Sequence, residues 1–217
     1  MHHAAYRRTG LLLLSIVWAA GLLASGWRPF DRATWWMEVA PVLIALPVLW
    51  RVAPRHPPTH LAMVLIGLHG LVLMLGGAYT YARVPVGAEV QQWLGLARNP
   101  YDRFGHFMQG FVPAIVLREL LVRAGRIRPG ALLATLVLAC CLAVSAGYEL
   151  IEFGAAMALG QGADEFLGTQ GDPWDTQWDM LMCLIGAVAA LALLSRRHDR
   201  QMARTGAWRS NGSSWSA

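Results

Sequence analysis

The sequence predicts an all-α protein, a polytopic membrane helix bundle of about six transmembrane helices. Its 217 residues are 56% hydrophobic and only 14% charged, whereas soluble domains carry about 25% charged residues. The 18 basic residues are all Arg, and they fall in short clusters between long apolar runs rather than in one patch. Because this distribution is typical of a topology signal, we expect the lipid bilayer as a partner and no nucleic acid.

Several apolar runs are long enough, or nearly so, to cross a bilayer, which needs about 20 apolar residues. They cover residues 10–27, 34–50, 60–82, 104–122, 130–153 and 176–195. The first run could also be a cleaved signal peptide, but no convincing A-x-A site follows it, so we interpret it as a span. We expect one six-helix domain over residues 1–195 and a disordered, basic cytoplasmic tail over residues 196–217.

The distribution of Arg predicts that both termini lie in the cytoplasm. The N-terminus, the tail and the loops at 51–59 and 118–129 hold 13 Arg, and the other loops hold 5, so the positive-inside rule gives this orientation. The acidic residues show the opposite bias, with 11 of 13 on the outer side. Insertion does not require that bias, so it indicates a function at the outer face. Between two spans, residues 83–103 predict a short helix on the membrane surface.

The fourth span begins with PYDRFGHFMQG, which places Asp102, His106 and Gln109 on one helical face. Asp102 lies in the first turn, where the helix dipole favours an anion, and it could orient the His106 ring. The alternative is that Asp102 is only a cap and that His106 is a packed polar residue bonded to a neighbour.

The fifth span ends with SAGYELIEF, in which Glu149 and Glu152 are three residues apart and share a face. Two close carboxylates can share a proton or a cation. The alternatives are that Glu152 only reaches the interface and that Glu149 pairs with an Arg.

The sixth span begins with GDPWDTQWDM, in which Asp172 precedes Pro173 and is explained by capping. Asp175 and Asp179 are four residues apart on one face. Asp179 lies deeper and needs a partner, which could be Arg103, His106, a metal or a proton.

Three helices therefore deliver carboxylates and a His to one depth, at the outer boundary of the membrane. Two weaker signals are His69, in the middle of the third span, and Glu38, which belongs to the same outer layer. A lone His in an apolar helix is more often hydrogen-bonded to a neighbouring helix.

The stretches GLHGLVLMLGGAYTYARVPVG, YDRFGHFMQGFVPA, SAGYELIE and LGTQGDPWDTQWDM resemble the YjdF-type family of bacterial inner-membrane proteins, whose function is unknown. This resemblance covers about residues 28–195 and implies a multi-pass protein of the bacterial inner membrane. A weaker similarity points to VanZ-like proteins, in which Asp102, His106, Glu149 and Asp179 would match a comparable order of residues. That family is linked to glycopeptide tolerance and the cell envelope, and this chain differs from it by two extra spans and a larger acidic loop.

We take Asp102, His106, Glu149, Glu152, Asp175 and Asp179 as the candidate site. The first hypothesis is a metal- or proton-dependent enzyme, or a binding protein, for an amphiphilic or lipid-linked envelope ligand, with a divalent cation as the possible cofactor. The alternatives are a proton- or ion-coupled transporter and a non-catalytic membrane scaffold. The sequence leaves open whether the protein is an enzyme.

Overall fold

The computed structural model describes the backbone of residues 2–159 and 170–204 and the side chains of residues 8–158 and 170–204. Within these ranges the chain forms helices and no strand, which confirms the all-α prediction. The helices are α1 (His2–Gly26), α2 (Arg32–Val52), α3 (His60–Ala78), α4 (Pro85–Leu94), α5 (Tyr101–Arg123), α6 (Ala131–Leu159) and α7 (Asp175–Arg204).

Five of these helices, namely α1, α2, α3, α6 and α7, are long and apolar enough to cross a membrane. The predicted fourth span corresponds to α5, which is not among these five helices and carries five charged residues. These residues are Asp102, Arg103, Arg118, Glu119 and Arg123. All of them lie near the two ends of α5, and residues 104–117 between them carry no charge. The crossing of α5, and with it the total of six spans, stays a prediction.

Contacts between α3, α5 and α7 define two ends of the bundle. The Tyr101 hydroxyl, at the start of α5, donates to the Val72 carbonyl near the end of α3 at 3.1 Å. The Thr59 N–H, just before α3, donates to the Glu119 carboxylate near the end of α5 at 3.0 Å. Hence α3 runs antiparallel to α5. We call the end at Tyr101 the acidic end and the end at Glu119 the far end.

Glycines allow α5 and α7 to pack closely side by side. A Cβ at Gly110 of α5 would overlap the Cys183 carbonyl oxygen, and a Cβ at Gly186 of α7 would overlap the Phe107 carbonyl oxygen. Small residues at a helix contact let two backbones approach, which is how transmembrane helices gain van der Waals packing. This contact fixes the rotation of α7 relative to α5 and therefore sets which α7 side chains face the start of α5.

The packed interior has two large hydrophobic clusters and a small one at Tyr81, Val84 and Tyr101, and much of the remaining helix surface is apolar. The first large cluster lies between α3, α5, α6 and α7, and the second surrounds Trp18 of α1, whose Nε1 donates to the Gly67 carbonyl at 3.2 Å. Leu23, Leu150 and Leu193 are 75%, 70% and 72% exposed. Exposed apolar surface of this extent suits contact with lipid rather than water.

Two segments differ from their predicted limits. The helix predicted within 83–103 is present as α4, a ten-residue helix capped by Gly95 in the left-handed region at φ 62°. The tail was predicted to be disordered from residue 196, but α7 continues to Arg204. The physical reason is that this last part is packed, since His198 and Met202 are fully buried. Residues 205–217 of the tail, and residues 160–169 of the predicted outer loop, lie outside the described residues.

Candidate functional site

Asn99 fixes the segments that position the site. Its N–H donates to Gln170 Oε1 at 2.9 Å, and Gln170 Nε2 donates back to its carbonyl at 3.2 Å. Its side-chain nitrogen donates to the Val84 carbonyl at 3.0 Å, while its Oδ1 accepts from the Tyr101 N–H at 3.0 Å. A Cβ at Gly87 would overlap that Oδ1, so α4 also lies tight against Asn99. The starts of α4 and α5 and the segment before α7 are therefore held together.

Two Arg side chains bind the outermost carboxylates. Arg98 binds Asp102 Oδ2 at 2.9 Å through one guanidinium nitrogen and Asp175 Oδ1 through the other. Arg103 binds Asp172 Oδ2 at 2.6 Å. Burial lowers the pKa of Arg98, but the hydrogen bond and charge of Asp175 outweigh burial and raise that pKa above its ordinary value. Asp172 and Asp175 thus have basic partners, and Asp102 keeps only Oδ1 for other contacts.

His106 lies at the centre of the remaining carboxylates. Its Nδ1 is 3.1 Å from Gln109 Oε1; in the neutral tautomer in which Nδ1 donates to that oxygen, Nε2 presents a lone pair. Nε2 lies 3.8 Å from Asp102 Oδ1 and 3.8 Å from Asp179 Oδ2. Glu149 Oε1 approaches from α6, at 4.0 Å from Nδ1. A neutral His106 therefore points its acceptor nitrogen at two acceptor oxygens.

Two carboxylate oxygens of the cluster have no hydrogen-bond partner among the described residues. They are Asp179 Oδ1 and Glu149 Oε1. Both residues are buried, with 3% and 8% of their surface exposed. Since a buried unpaired charge is costly, such atoms call for a proton or a cation.

The arrangement of Asp102, His106 and Asp179 suits a metal ion. One ligand atom from each residue lies within 4.8 Å of the others. Zinc–nitrogen and zinc–oxygen bonds of about 2.1 Å in a tetrahedral site separate ligand atoms by about 3.4 Å. The two 3.8 Å distances from His106 Nε2 are close to that value, so a small inward movement would complete a site. The hydrogen bond from Nδ1 to Gln109 is the outer-shell contact that metal-ligating His residues usually make.

A cavity of about 330 Å³ adjoins this cluster. Its polar lining comes from the acidic end and from the centre of α3: Glu38, His69, Tyr81, Asp102, His106, Gln109, Tyr148 and Glu152. The rest of its lining is mostly apolar and extends along α5 to Leu117. The Glu38 carboxylate accepts a hydrogen bond from the Tyr81 hydroxyl, and His69 Nε2 has no partner among the described residues.

The predicted site residues lie on two sides of Asp102 and His106: one side is the cavity and the other is the side of Asp179. Asp102 and His106 face both sides, because they line the cavity and also approach Asp179. Glu152 lies on the cavity side, together with Glu38 and His69 of the weaker signals. The other three, Glu149, Asp175 and Asp179, do not line the cavity. Of the three residues Glu149, His106 and Asp179, which the sequence places at one depth, His106 alone lines the cavity, because the lining includes α1, α2 and α3 and no residue of α7.

Sequence reasoning missed Arg98, Asn99, Tyr81 and Tyr148. Arg98 lies four residues before Asp102 but precedes α5, so the helical spacing that pairs opposite charges does not predict this contact. Tyr81 and Tyr148 carry no such signal either. Tyr81 takes part because its ring fits against Gly76 and Gly105, where a Cβ would strike it.

A second buried polar cluster, at the far end, was also missed. Glu119 accepts hydrogen bonds from the Thr59 hydroxyl at 2.8 Å and from His198 Nε2 at 3.1 Å, and it pairs with Arg123 at 2.9 Å. Arg118 donates to His198 Nδ1 at 3.2 Å. Both oxygens of Glu119 are thus bonded, so this cluster is a joint between α3, α5 and α7.

Comparison with known proteins identifies the family. The model of a family described as "Predicted membrane protein (DUF2238)" matches residues 10–200. The chain is similar to the inner membrane protein YjdF of Escherichia coli strain K12, with 54% identity over 198 residues that cover 91% of this chain and 93% of that protein. No solved structure matches. These findings confirm the resemblance to the YjdF-type family and the location in the inner membrane as a multi-pass protein, while the weaker VanZ-like resemblance stays a prediction. The chain belongs to the DUF2238 family of predicted membrane proteins.

Proposed function

We propose that the protein binds a divalent transition-metal ion through Asp102, His106 and Asp179 and uses it to hold and polarise a polar group of an amphiphile in the adjoining cavity. One observation carries the proposal: His106 Nε2 lies 3.8 Å from both Asp102 Oδ1 and Asp179 Oδ2. When Nδ1 donates to Gln109, Nε2 is an acceptor, and a metal ion among these three atoms would supply the positive charge that they need. A His nitrogen with two carboxylate oxygens suits Zn²⁺ or Mn²⁺ better than Ca²⁺, which takes oxygen ligands.

The surroundings of these three residues would allow a bound ion to act on a ligand as well as to be held. Asp179 Oδ1 and Glu149 Oε1 have no partner among the described residues, so the ion would have further oxygens within reach. Asp102 and His106 also line the cavity, so a ligand there would contact the metal-binding wall. A metal that keeps an open coordination position can polarise a carbonyl or phosphoryl oxygen or activate a water. The topology prediction places this site at the outer face of the inner membrane.

The test is metal content. Protein purified in detergent is stripped with a chelator, incubated with Zn²⁺ or Mn²⁺, desalted and analysed by mass spectrometry for bound metal. We expect about one ion per chain in the wild type, loss of that ion in His106→Gln and Asp179→Asn, and a fall in affinity of roughly 10–100-fold in Gln109→Leu.

Two exposed residues give matched controls. Glu89→Gln on α4 removes a carboxylate charge, and His60→Gln at the start of α3 removes an imidazole, at positions that are both exposed. Both variants should keep the ion. A wild type that retains no more metal than His106→Gln would overturn the metal proposal and would leave a proton as the charge in the cluster.

A further inference from the structure

The acidic end of the cavity is lined by carboxylates from three helices. They are Glu38 of α2, Asp102 of α5 and Glu152 of α6. None of the described residues that line the cavity is an Arg, and the chain has no Lys. The head group of a ligand would therefore meet carboxyl oxygens on the cavity wall, without a basic side chain among them.

The charged residues that lie near the acidic end of the cavity without lining it do not make this region positive. Glu149 and Asp179 add two more carboxylates there, and both approach His106. The nearby guanidinium groups are already engaged: Arg98 binds Asp102 and Asp175, and Arg103 binds Asp172. A single divalent ion bound by Asp102, His106 and Asp179 would offset two charges and would still leave Glu38 and Glu152 on the cavity lining. An anionic head group is thus disfavoured, and a cationic one is favoured.

A second, independent observation points to a ligand inside the cavity. His69 lines the cavity from the middle of α3, and its Nε2 is buried without a hydrogen-bond partner among the described residues. Beyond it the lining is apolar, with Trp18, Ile66 and Leu117 among its members. The volume of about 330 Å³ lies at the small end of the range for ligand sites, about 300–1,000 Å³. It suits one alkyl chain with a hydrogen-bonding group part of the way along.

We infer that the cavity binds a single-chain cationic amphiphile, with an ammonium head between Glu38 and Glu152, an amide or ester group at His69 and an alkyl tail along α5 toward Leu117. This inference deepens the proposed function and rests on it for the role of the cavity as a ligand site. The class of ligand, however, is derived from Glu38 and Glu152, which are not among the proposed metal ligands.

The test compares head groups on one chain length. Protein is reconstituted in nanodiscs of phosphatidylcholine and titrated with dodecylamine or dodecyl phosphate, and binding is followed by isothermal titration calorimetry. We expect a dissociation constant at least about tenfold lower for dodecylamine, which corresponds to 1.4 kcal/mol. The double variant Glu38→Gln/Glu152→Gln should lose this preference, and Glu89→Gln should keep it. Equal or tighter binding of dodecyl phosphate, or a preference that survives the double variant, would overturn the inference.

The same titrations with and without Zn²⁺ separate this inference from the proposed function. Dodecyl phosphate that binds preferentially, and only with Zn²⁺, would support the metal site and refute the cationic ligand. Dodecylamine that binds equally well with and without Zn²⁺, to a wild type that retains no more metal than His106→Gln, would support the cationic ligand and refute the metal site. His69→Leu adds a further check: it should weaken binding of an amide-linked probe, N-decanoyl ethylenediamine, about tenfold and leave dodecylamine unaffected. No difference between the two probes would remove His69 from the ligand contact.

Discussion

Removing one buried charge should have opposite consequences at the two ends of the bundle. Glu119 at the far end and Asp179 at the acidic end are both buried, with 6% and 3% of their surface exposed. The isosteric amides, Glu119→Gln and Asp179→Asn, keep size and some hydrogen-bonding capacity and remove only the negative charge. The difference between the two variants depends on what each carboxylate contacts.

Glu119→Gln should destabilise the protein strongly. Its Oε1 faces the Thr59 N–H at 3.0 Å and Arg123 at 2.9 Å, while its Oε2 faces the Thr59 hydroxyl at 2.8 Å and His198 at 3.1 Å. An amide nitrogen on either side would therefore confront donors. Breaking a buried pair costs about 3–5 kcal/mol; because the amide keeps one acceptor, we expect about 3 kcal/mol. At about 2–4 °C for each kcal/mol, the melting temperature should fall by roughly 6–12 °C.

Asp179→Asn should leave stability unchanged or raise it. Asp179 Oδ1 has no partner among the described residues, and its surroundings include the carboxylates of Asp102 and Glu149. A charge inside a membrane segment costs about 2.5–3.5 kcal/mol on insertion scales, so its removal offsets any hydrogen bond that is lost. We expect a change in the free energy of unfolding between zero and about 2 kcal/mol of stabilisation.

The assay is thermal unfolding of the wild type and both variants in one detergent, with a chelator present so that metal binding makes no contribution. Glu89→Gln, which removes an exposed carboxylate, should melt like the wild type. A fall in melting temperature for Asp179→Asn that equals the fall for Glu119→Gln would refute the reasoning. It would mean that the acidic end holds the helices together in the same way as the far end.

Two other predictions follow from the packing and the topology. Gly110→Val should lower the free energy of unfolding by at least about 3 kcal/mol or prevent folding, because a Cβ there would overlap the Cys183 carbonyl. Gly147→Val should melt near the wild type, because a Cβ at Gly147 meets no described atom within 4 Å. Similar melting of both variants would argue against the α5–α7 contact. A periplasmic phosphatase fused after Arg126 should be inactive, and a fluorescent protein fused after Arg204 should fold in the cytoplasm; an active phosphatase at Arg126 would reverse the orientation and move the acidic end to the inner face.

Helical periodicity was sufficient to predict that α5, α6 and α7 bring charged residues to one depth. Asp102 and His106 share a face because they are four residues apart, and this holds whatever packs against them. Periodicity does not give the rotation of one helix against another. That rotation depends on the contact at Gly110 and Gly186, and it turns Asp179 behind His106 rather than into the cavity. The cavity residues Tyr81 and Tyr148 depend on the same tertiary packing, so no sequence pattern indicates them.

The far-end cluster was missed for a different reason. Glu119 and His198 lie near predicted span ends, where charged residues are expected in contact with water and head groups. The structure buries both because Thr59, at the start of α3, presents a backbone N–H and a hydroxyl that need acceptors. A helix N-terminus has unsatisfied N–H groups wherever it begins, but the chain does not reveal which distant carboxylate will meet them. The link spans 60 residues of sequence between Thr59 and Glu119.

The contrast between the two ends is the strongest argument against a purely structural role for the acidic end. At the far end each oxygen of Glu119 has donors, as expected where polar groups join helices. At the acidic end the outermost Asp172 and Asp175 are paired with Arg, which shows that the chain can supply basic partners at that depth. Deeper in, Asp179 and Glu149 each keep an oxygen without a described partner. Since unpaired buried acceptors destabilise the fold, their presence indicates that a proton, an ion or a ligand contacts them in use.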